Sequence, residues 1–348
     1  MGCYCQIIPA DVFDKLSKDK KFDAEDRKAF ADAAALEAKW RKARREQTKL
    51  SHFVSTAGIA AGLTGTNTLA PAPAVPVFDC KHTQSLPGTP VANPASAADA
   101  TVKRVFTETT EVAKFLQTIY GRNSIDGNGM TLLSSVHFDK GFNNAFWNGA
   151  QMTYGDGDGK IFIDFTLSND VMAHELTHGL TQFTTQLNYT NEAGGLNESC
   201  SDVFGSMFRQ WRKNQAVSQA DWLIGKEIMG PAAVARGFTC LRDMADPAAK
   251  HCLAPQPKHF KDYKNGMDPH ESSGIPNLAF YKAAMAIGGK SWEKAGKVWY
   301  GAMSQYAPSP NMKMSAFASR TRKQAAVLFP TDKSVLAAVD AAWKSVGL

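Results

Sequence analysis

Residues 170–180 read DVMAHELTHGL, and this stretch decides which fold and which site the sequence can form. His174 and His178 are four residues apart, so on a helix both imidazoles project from one face and can share a metal ion. Glu175 directly follows His174 and lies at the rim of that site, where it can accept a proton from activated water without binding the metal. Ser168 is placed to cap the start of this helix.

A His-Glu-x-x-His pattern alone also occurs by chance, in helices whose histidines belong to the core or the surface. A second element, NESCSDVFG at residues 197–205, predicts another helix after the Gly194–Gly195 pair. Glu198 can supply a third, oxygen ligand and leave a fourth tetrahedral position open. Asp202, one turn further, can accept the free N–H of a ligand histidine and fix its tautomer. The set indicates catalytic rather than structural zinc, with Glu175 as base and then acid.

The length and composition bound the architecture. The chain has 348 residues, 44% hydrophobic and 21% charged, which is typical of a globular protein and allows two domains. Charged, helix-forming sequence covers residues 9–50, and a Pro-rich linker follows at 51–101. No stretch approaches the ~20 apolar residues that cross a bilayer, so we expect no membrane partner.

Strand-like segments come before helical ones in the body of the chain. Alternating apolar residues predict strands at residues 130–138, 151–154 and 160–165, with a hairpin turn at the DGDG of 156–159. After Ser168 the pattern is almost entirely helical. This order predicts an α+β fold with two lobes.

The net charge of +6 does not indicate a nucleic-acid partner. The first 50 residues carry 12 Lys and Arg against 9 Asp and Glu, so half of the excess lies in one-seventh of the chain. The basic run at residues 41–45 there is typical of a solvated helix surface.

Six cysteines are too few for a disulfide-built scaffold of this length, and none has zinc-knuckle spacing. Cys240 and Cys252 flank a Pro-containing loop. They could form a disulfide or remain two free thiols, and the sequence favours neither state. Cys200 lies beside apolar residues and is expected to be a buried free thiol. The N-terminus lacks the pattern of a secretory signal peptide. We therefore expect secretion without a classical signal, with a cytoplasmic location as the alternative.

The combined motifs resemble those of the thermolysin-like neutral metalloproteases from about residue 100 to the C-terminus. Besides the two metal-ligand motifs, the matching stretches are NNAFWNG at 143–149, LRDMADP at 241–247 and SGIPNLAFY at 273–281. The resemblance implies a two-lobed zincin fold, with a β-rich N-terminal lobe, a helical C-terminal lobe and one catalytic zinc in the cleft between them. The implied activity is endopeptidase cleavage of peptides and proteins before bulky hydrophobic residues.

The resemblance also implies roles for side chains around the metal ligands. These are main-chain binding of substrate by Asn144 and Ala145, oxyanion stabilisation by Tyr189, a grip on a substrate carbonyl by Arg242, and transition-state stabilisation by His270. The approach to His270 departs from the glycine-rich pattern of the family. Either Asp268 or Asn265 can orient its ring.

One departure concerns calcium. Family members with structural calcium gather carboxylates behind the active-site helix. This sequence keeps Asp170 and Asp221 but has Arg209 and Lys226 where two acids are expected. A fixed cation beside carboxylates can neutralise them as an ion would, so we expect the double calcium site to be lost.

The N-terminal segment resembles the short propeptides of the protealysin subgroup, with Ile7-Ile8-Pro9 at its start. The implied role is a removable inhibitor that covers the cleft. We divide the chain into a propeptide at 1–50, an N-terminal peptidase lobe at 51–185 and a C-terminal lobe at 186–348. The bonds before Leu50, Phe53 and Val54 are the candidates for autocleavage, and zinc binding by Cys3 or Cys5 in the precursor is a further alternative.

Two other functions compete with a zinc endopeptidase. An inactive zinc-binding module would keep the ligands and lose the base or the oxyanion groups, yet all of these are present. An aminopeptidase differs in requiring a free amine next to the cleaved bond. We expect a monomer that acts on peptides and proteins and is inhibited by its own propeptide.

Overall fold

The structure is a computed structural model, and it describes residues 5–20, 22–35 and 72–348. The basic run at 41–45, most of the linker and the three candidate cleavage sites lie outside the described residues. Within the N-terminal segment, β1 (Cys5–Gln6) is followed by α1 (Ala10–Lys18) and by α2, helical over residues 24–35.

A six-stranded mixed sheet builds the N-terminal half. Its remaining strands are β2 (Val77–Asp79), β3 (Thr89–Pro90), β4 (Ser134–Val136), β5 (Ala145–Trp147) and β6 (Met152–Tyr154). The spatial order is β1-β5-β6-β4-β2-β3, so the N-terminal strand β1 lies at one edge, antiparallel to β5. Helix α3 (Ala100–Tyr120) packs against the sheet. Asp99 caps α3 by accepting the backbone N–H groups of Thr101 and Val102.

Two long antiparallel helices follow and carry the predicted metal motifs, α4 (Asn169–Gln182) and α5 (Asn191–Arg212). Gly179 lets α4 approach the sheet, because a Cβ there would lie 2.6 Å from Ile125 Cδ1 and 3.2 Å from Trp147. Most of α4 is buried between the sheet and α5. The helix is thus held on two sides, which fixes the direction of its side chains.

The rest of the chain is mainly helical. It contains β7 (Leu223–Ile224) paired with β8 (Arg242–Asp243), the short helices α6 (Pro231–Ala235) and α7 (Pro269–Ser272), and then α8 (Gly274–Ile287), α9 (Lys294–Ser304), α10 (Met314–Leu328) and α11 (Lys333–Ser345). Stacked Trp299 and Trp343 lie in the core of this bundle. The predicted α+β order, strands first and helices afterwards, is confirmed.

Several local predictions were wrong. Residues 160–165 form no strand, because Asp158 Oδ1 accepts the N–H groups of residues 160, 161 and 162 and folds them into a turn. The second metal-motif helix begins at Asn191, before the glycine pair, which instead allows α5 to pack closely on α7. Ser168 holds the N-cap position of α4, but its hydroxyl donates to Asp170 Oδ1 at 2.5 Å and caps no backbone group.

Candidate active site

The two histidines of α4 meet as their spacing predicts. Their Nε2 atoms are 3.1 Å apart and both side chains are fully buried. Burial lowers the pKa of His178 to about 3, so this ring is neutral, which is the form that binds metals.

Glu198 enters from α5 and completes a set of three donors. Its Oε2 lies 3.4 Å from His174 Nε2, its Oε1 lies 3.5 Å from His178 Nε2, and all three donor atoms fall within 4.8 Å of one another. Glu198 Oε2 is buried and has no hydrogen-bond partner among the described residues. A buried carboxylate oxygen without a partner is costly, and a cation between these donors would satisfy it. The residues present therefore fit the zinc that this donor set favours.

Further side chains orient the donors. His174 Nδ1 lies 2.8 Å from Asp202 Oδ1, as predicted, and His178 Nδ1 lies 2.8 Å from Asn197 Oδ1. Asp202 also accepts two hydrogen bonds from Arg242 and one from Asn277. Although burial favours protonation, the Arg242 charge holds the pKa of Asp202 well below its usual range. Both ligand rings are thus fixed through their second nitrogen.

Glu175 occupies the rim of this set. Its Oε2 accepts the backbone N–H of Trp147 at 3.0 Å, while its Oε1 is buried and unpaired among the described residues. Burial raises the pKa of Glu175 to about 8. The carboxylate is held at one oxygen and leaves the other available for proton transfer.

Tyr189 and His270 converge on the same space. The Tyr189 hydroxyl contacts Glu198 Oε1 and lies 3.1 Å from His270 Nε2. His270 Nδ1 lies 2.8 Å from Asp268 Oδ1, so Asp268 orients the ring and Asn265 does not. Burial works against a charged ring, but Glu198 and Asp268 raise the pKa of His270 above its ordinary value.

The three predicted substrate-binding residues contact the N-terminal segment. Ala145 O accepts the N–H of Ile7 at 3.2 Å, and Asn144 binds both the N–H and the carbonyl of Ile8 at 3.1 Å each. Arg242 Nη1 donates to the Ile7 carbonyl at 3.0 Å. The Gln6 carbonyl points at His270 Nε2, 2.6 Å away. The segment extends the edge strand β5, as in β-augmentation.

Sequence reasoning missed Asn197 and Asn277 and left Asp268 open. Asn197 directly precedes Glu198 on α5, so the helical spacing that places Glu198 at the metal could have indicated it. Asn277 comes from α8, 75 residues after Asp202, and no local pattern links them.

Behind α4, a cation lies among carboxylates as predicted. Arg209 is 3.4 Å from Asp170, 3.1 Å from Asp221 and 2.6 Å from Glu227. Despite its burial, the pKa of Arg209 is raised by these charges. Lys226 reaches Asp221 at 3.2 Å. Glu227 was not predicted to belong to this cluster.

Two further donor clusters lie elsewhere in the described part of the chain. His137 bridges Asp156 and Asp99 at 2.9 and 3.0 Å, with His82 nearby. Cys240 and Cys252 lie beside His251 and are both free thiols. Cys200 is a buried free thiol, as expected.

Comparison with known proteins identifies the family. Residues 66–182 match the thermolysin metallopeptidase catalytic domain, and residues 185–348 match the thermolysin metallopeptidase alpha-helical domain. The chain belongs to the thermolysin family of metallopeptidases. It has the thermolysin-like fold, and its function is that of a zinc metalloendopeptidase.

Individual relatives agree with this assignment. The chain is 41% identical to an extracellular metalloprotease of Pectobacterium carotovorum subsp. carotovorum, over 78% of this chain and 80% of that one. It is 38% identical to protease PrtS of Photorhabdus sp. (strain Az29), over 78% and 76% of the two chains. The solved precursor of protealysin from Serratia proteamaculans superposes with a TM-score of 0.82 at 33% identity and covers 99% of both chains. These comparisons lend no support to an aminopeptidase or an inactive module.

Two findings bear on location. The Pectobacterium relative is named as extracellular. Among the described residues, none of the helices combines the length and the apolar character that crossing a membrane requires.

Proposed function

We propose that this thermolysin-family endopeptidase holds its catalytic zinc on His174, His178 and Glu198 and uses Glu175 for proton transfer. The observation that carries the proposal is a pair of buried carboxylate oxygens, Glu198 Oε2 and Glu175 Oε1, that lie at one converging set of donors and have no hydrogen-bond partner in the described part of the chain. A zinc ion bound there would supply Lewis acidity that lowers the pKa of water and polarises a carbonyl.

The residues around this centre would transfer protons, stabilise the oxyanion and orient the metal ligands. Glu175, whose Oε1 has no hydrogen-bond partner among the residues described, takes the proton of the attacking water and passes it to the leaving amine. Tyr189 and His270 donate hydrogen bonds to the oxyanion, and Asp268 fixes the His270 ring for this task. Asp202 keeps His174 in the tautomer whose Nε2 faces the site.

Substrate binding is proposed from the contacts of the N-terminal segment. Asn144, Ala145 and Arg242 bind main-chain groups, so they would hold any sequence in an extended conformation. The Ile7 side chain is fully buried directly after the carbonyl that faces His270. This position supports a preference for a hydrophobic residue on the amine side of the cleaved bond.

We further infer that the N-terminal segment is an inhibitory propeptide that binds in the direction of a substrate. Its Gln6 carbonyl occupies the place expected for the reacting carbonyl, and it is anchored elsewhere on the body. Phe13 packs edge-on against Phe162, and Arg236 lies 3.8 Å above the Phe22 ring. These anchors support a segment that excludes other peptides until it is removed.

We propose a propeptide at 1–50, an N-terminal peptidase lobe at 51–185 and a C-terminal lobe at 186–348, with cleavage before Leu50, Phe53 or Val54. We also propose a monomer that is secreted and that has no double calcium site. N-terminal sequencing of the matured protein tests the cleavage sites, and sedimentation tests the oligomeric state.

A Glu175→Gln variant tests the catalytic assignment. Its zinc content, measured by elemental analysis, should equal that of the wild type, while casein hydrolysis should fall by ~10³-fold or more. A Glu111→Gln variant, on α3 and outside the set of metal donors, serves as the control and should keep full activity. Normal casein turnover by the Glu175 variant would disprove the assignment.

An Ile7→Asp variant tests the inhibitory role in the full-length chain. A charged residue in a buried apolar position should weaken the hold of the segment and allow the uncut precursor to hydrolyse a small reporter peptide. The measurement is the initial rate, with gel analysis to show that the chain is intact. Lys15→Ala, on the exposed side of α1, should leave the precursor as inactive as the wild type. Equal rates for all three would exclude inhibition by this segment.

A further inference from the structure

A cluster of two thiols and one imidazole lies outside the active site. Cys240 Sγ is 3.8 Å from Cys252 Sγ and 3.7 Å from His251 Nδ1, and the three donor atoms fall within 4.8 Å of one another. A parallel β-bridge joins Cys240 to Cys252, and the N–H of Leu253 donates to the Cys240 carbonyl at 2.9 Å. The backbone thus holds the two thiols side by side.

These distances match the edges of a tetrahedral metal site. With Zn–S bonds of about 2.3 Å and Zn–N bonds of about 2.0–2.1 Å, a tetrahedron requires S···S and S···N distances of about 3.8 and 3.6 Å. The Cys240–Cys252 and Cys240–His251 distances therefore already match two edges of such a site, and the third donor pair lies within 4.8 Å. A disulfide would instead need the two sulfur atoms to approach to about 2.05 Å.

The orientation of His251 is a second, independent indication. Its Nε2 lies 3.3 Å from Asp243 Oδ2, and a carboxylate oxygen has no proton to give. A proton on Nε2 would face this carboxylate and leave the Nδ1 lone pair on the side of the thiols, where the Thr239 hydroxyl lies 2.8 Å from Nδ1. A carboxylate behind the second nitrogen is the usual partner of a metal-binding histidine.

Burial of this cluster is uneven. Cys240 and Cys252 are buried, whereas the His251 side chain is 39% exposed, so an ion can enter from the imidazole side.

We propose that Cys240, His251 and Cys252 form a second metal site, selective for a thiolate-seeking ion such as Zn²⁺ or Cd²⁺ and distinct from the catalytic centre. An ion there would join the strand that contains Arg242 to the loop that returns at residues 251–253. The site would therefore stabilise the fold next to Arg242, which contacts Asp202.

The test uses the full-length chain, equilibrated with buffered Zn²⁺ and freed of excess by gel filtration. Elemental analysis should give two zinc ions per wild-type chain and one per chain of the Cys240→Ser/Cys252→Ser double variant. Cys200→Ser, which removes a buried thiol elsewhere, should keep two. Cd²⁺ added to the wild type should produce an ultraviolet thiolate charge-transfer band that the double variant lacks.

A milder variant keeps the test independent of folding. His251→Gln retains both thiols and changes a partly exposed side chain, and its affinity for the second zinc should fall at least ~10-fold. One zinc per wild-type chain with both thiols free to alkylation overturns the proposal. One zinc per chain, together with a protein mass 2 Da lower and two thiols that resist alkylation, would show a disulfide and would also overturn the proposal. Casein hydrolysis by the double variant, with its single zinc, reports separately on the catalytic site.

Discussion

Helix α5 contributes to two buried groups of charges that solve the same electrostatic problem in different ways. Near its start, Glu198 is fully buried with Oε2 unpartnered among the described residues. Near its end, Arg209 lies among Asp170, Asp221 and Glu227, and the Asp170 oxygens are also bound by the N–H groups of Val171 and Gly225. Among the described residues, the basic groups beside Glu198 are imidazoles, which are cationic only when protonated, whereas the second group contains a guanidinium, which is always charged.

The difference separates a catalytic site from a structural one. A buried carboxylate requires a compensating charge, and a guanidinium supplies it permanently as part of the fold. A site that must present a Lewis acid to substrate cannot be filled by a side chain. It has to keep its donors free for an exchangeable ion and bear the cost of their burial until the ion binds.

Removing a metal donor should give the largest effect on function. Glu198→Gln keeps the size of the side chain but removes the charge, so the site should lose its zinc and casein hydrolysis should fall by at least ~10³-fold. Elemental analysis and the casein assay measure these two quantities. Retention of zinc would show that the donors of α4 suffice.

Removing Arg209, the cation inside the second group, should lower the stability of the protein and leave its zinc content unchanged. Arg209→Gln should retain zinc but lose about 3–5 kcal/mol of unfolding free energy, because Asp170 is left as an uncompensated buried charge. At about 2 °C per kcal/mol, the Tm should drop by roughly 6–10 °C.

The matched control for Arg209 is Arg212→Gln, on the same helix. Arg212 pairs with Glu108 at 2.8 Å, and its side chain is 30% exposed. Its loss should cost about 0–1 kcal/mol. Equal destabilisation by both variants would mean that the burial of Asp170 does not determine the loss.

Sequence alone could predict what local periodicity encodes. The i, i+4 spacing of His174 and His178 places both rings on one face of α4, and one further helix supplies Glu198. The Arg209 cluster was predictable in part, because the departure from the expected acids is visible in the sequence. The α+β order follows from where strand-like and helical patterns occur.

Contacts between distant segments were not predictable in the same way. The contact of Asn277 with Asp202 depends on how α8 packs against α5. The contact of Glu227 with Arg209 depends on the path of a loop. The false strand at 160–165 has an apolar pattern typical of a strand, but Asp158 offers the backbone a local hydrogen-bonding alternative. Tertiary packing and side-chain capping decided these cases.

A third ionic cluster differs from both groups on α5, because its cation is an imidazole that loses its charge as the pH rises. His137 lies between Asp156 and Asp99, with His82 facing the same Asp156, and these carboxylates raise the pKa of His137 to about 9 despite partial burial. Since the folded pKa exceeds the unfolded value of about 6.5, the stabilisation is complete below pH ~6.5 and is lost as the pH rises through about 9.

A His137→Gln variant measures this contribution. At pH 6 it should be less stable than the wild type by about 1–2 kcal/mol, after allowance for screening by solvent. At pH 10 the two proteins should have the same unfolding free energy in urea titrations. A difference that persists unchanged at pH 10 would place the effect in packing rather than in the charge. NMR titration of the ring should give its midpoint well above 6.5.

The smallest expected effect is that of calcium on the wild type. If Arg209 and Lys226 neutralise the acids behind α4, a calcium ion has no uncompensated carboxylates to bind there, and the guanidinium of Arg209 repels it. Calorimetry with millimolar Ca²⁺ and with a calcium-selective chelator should therefore give Tm values that agree within about 1 °C, which is less than the shift from 1 kcal/mol. A rise of many degrees with Ca²⁺ would mean that the guanidinium does not replace the ion. The contrast between the two groups on α5 would then fail.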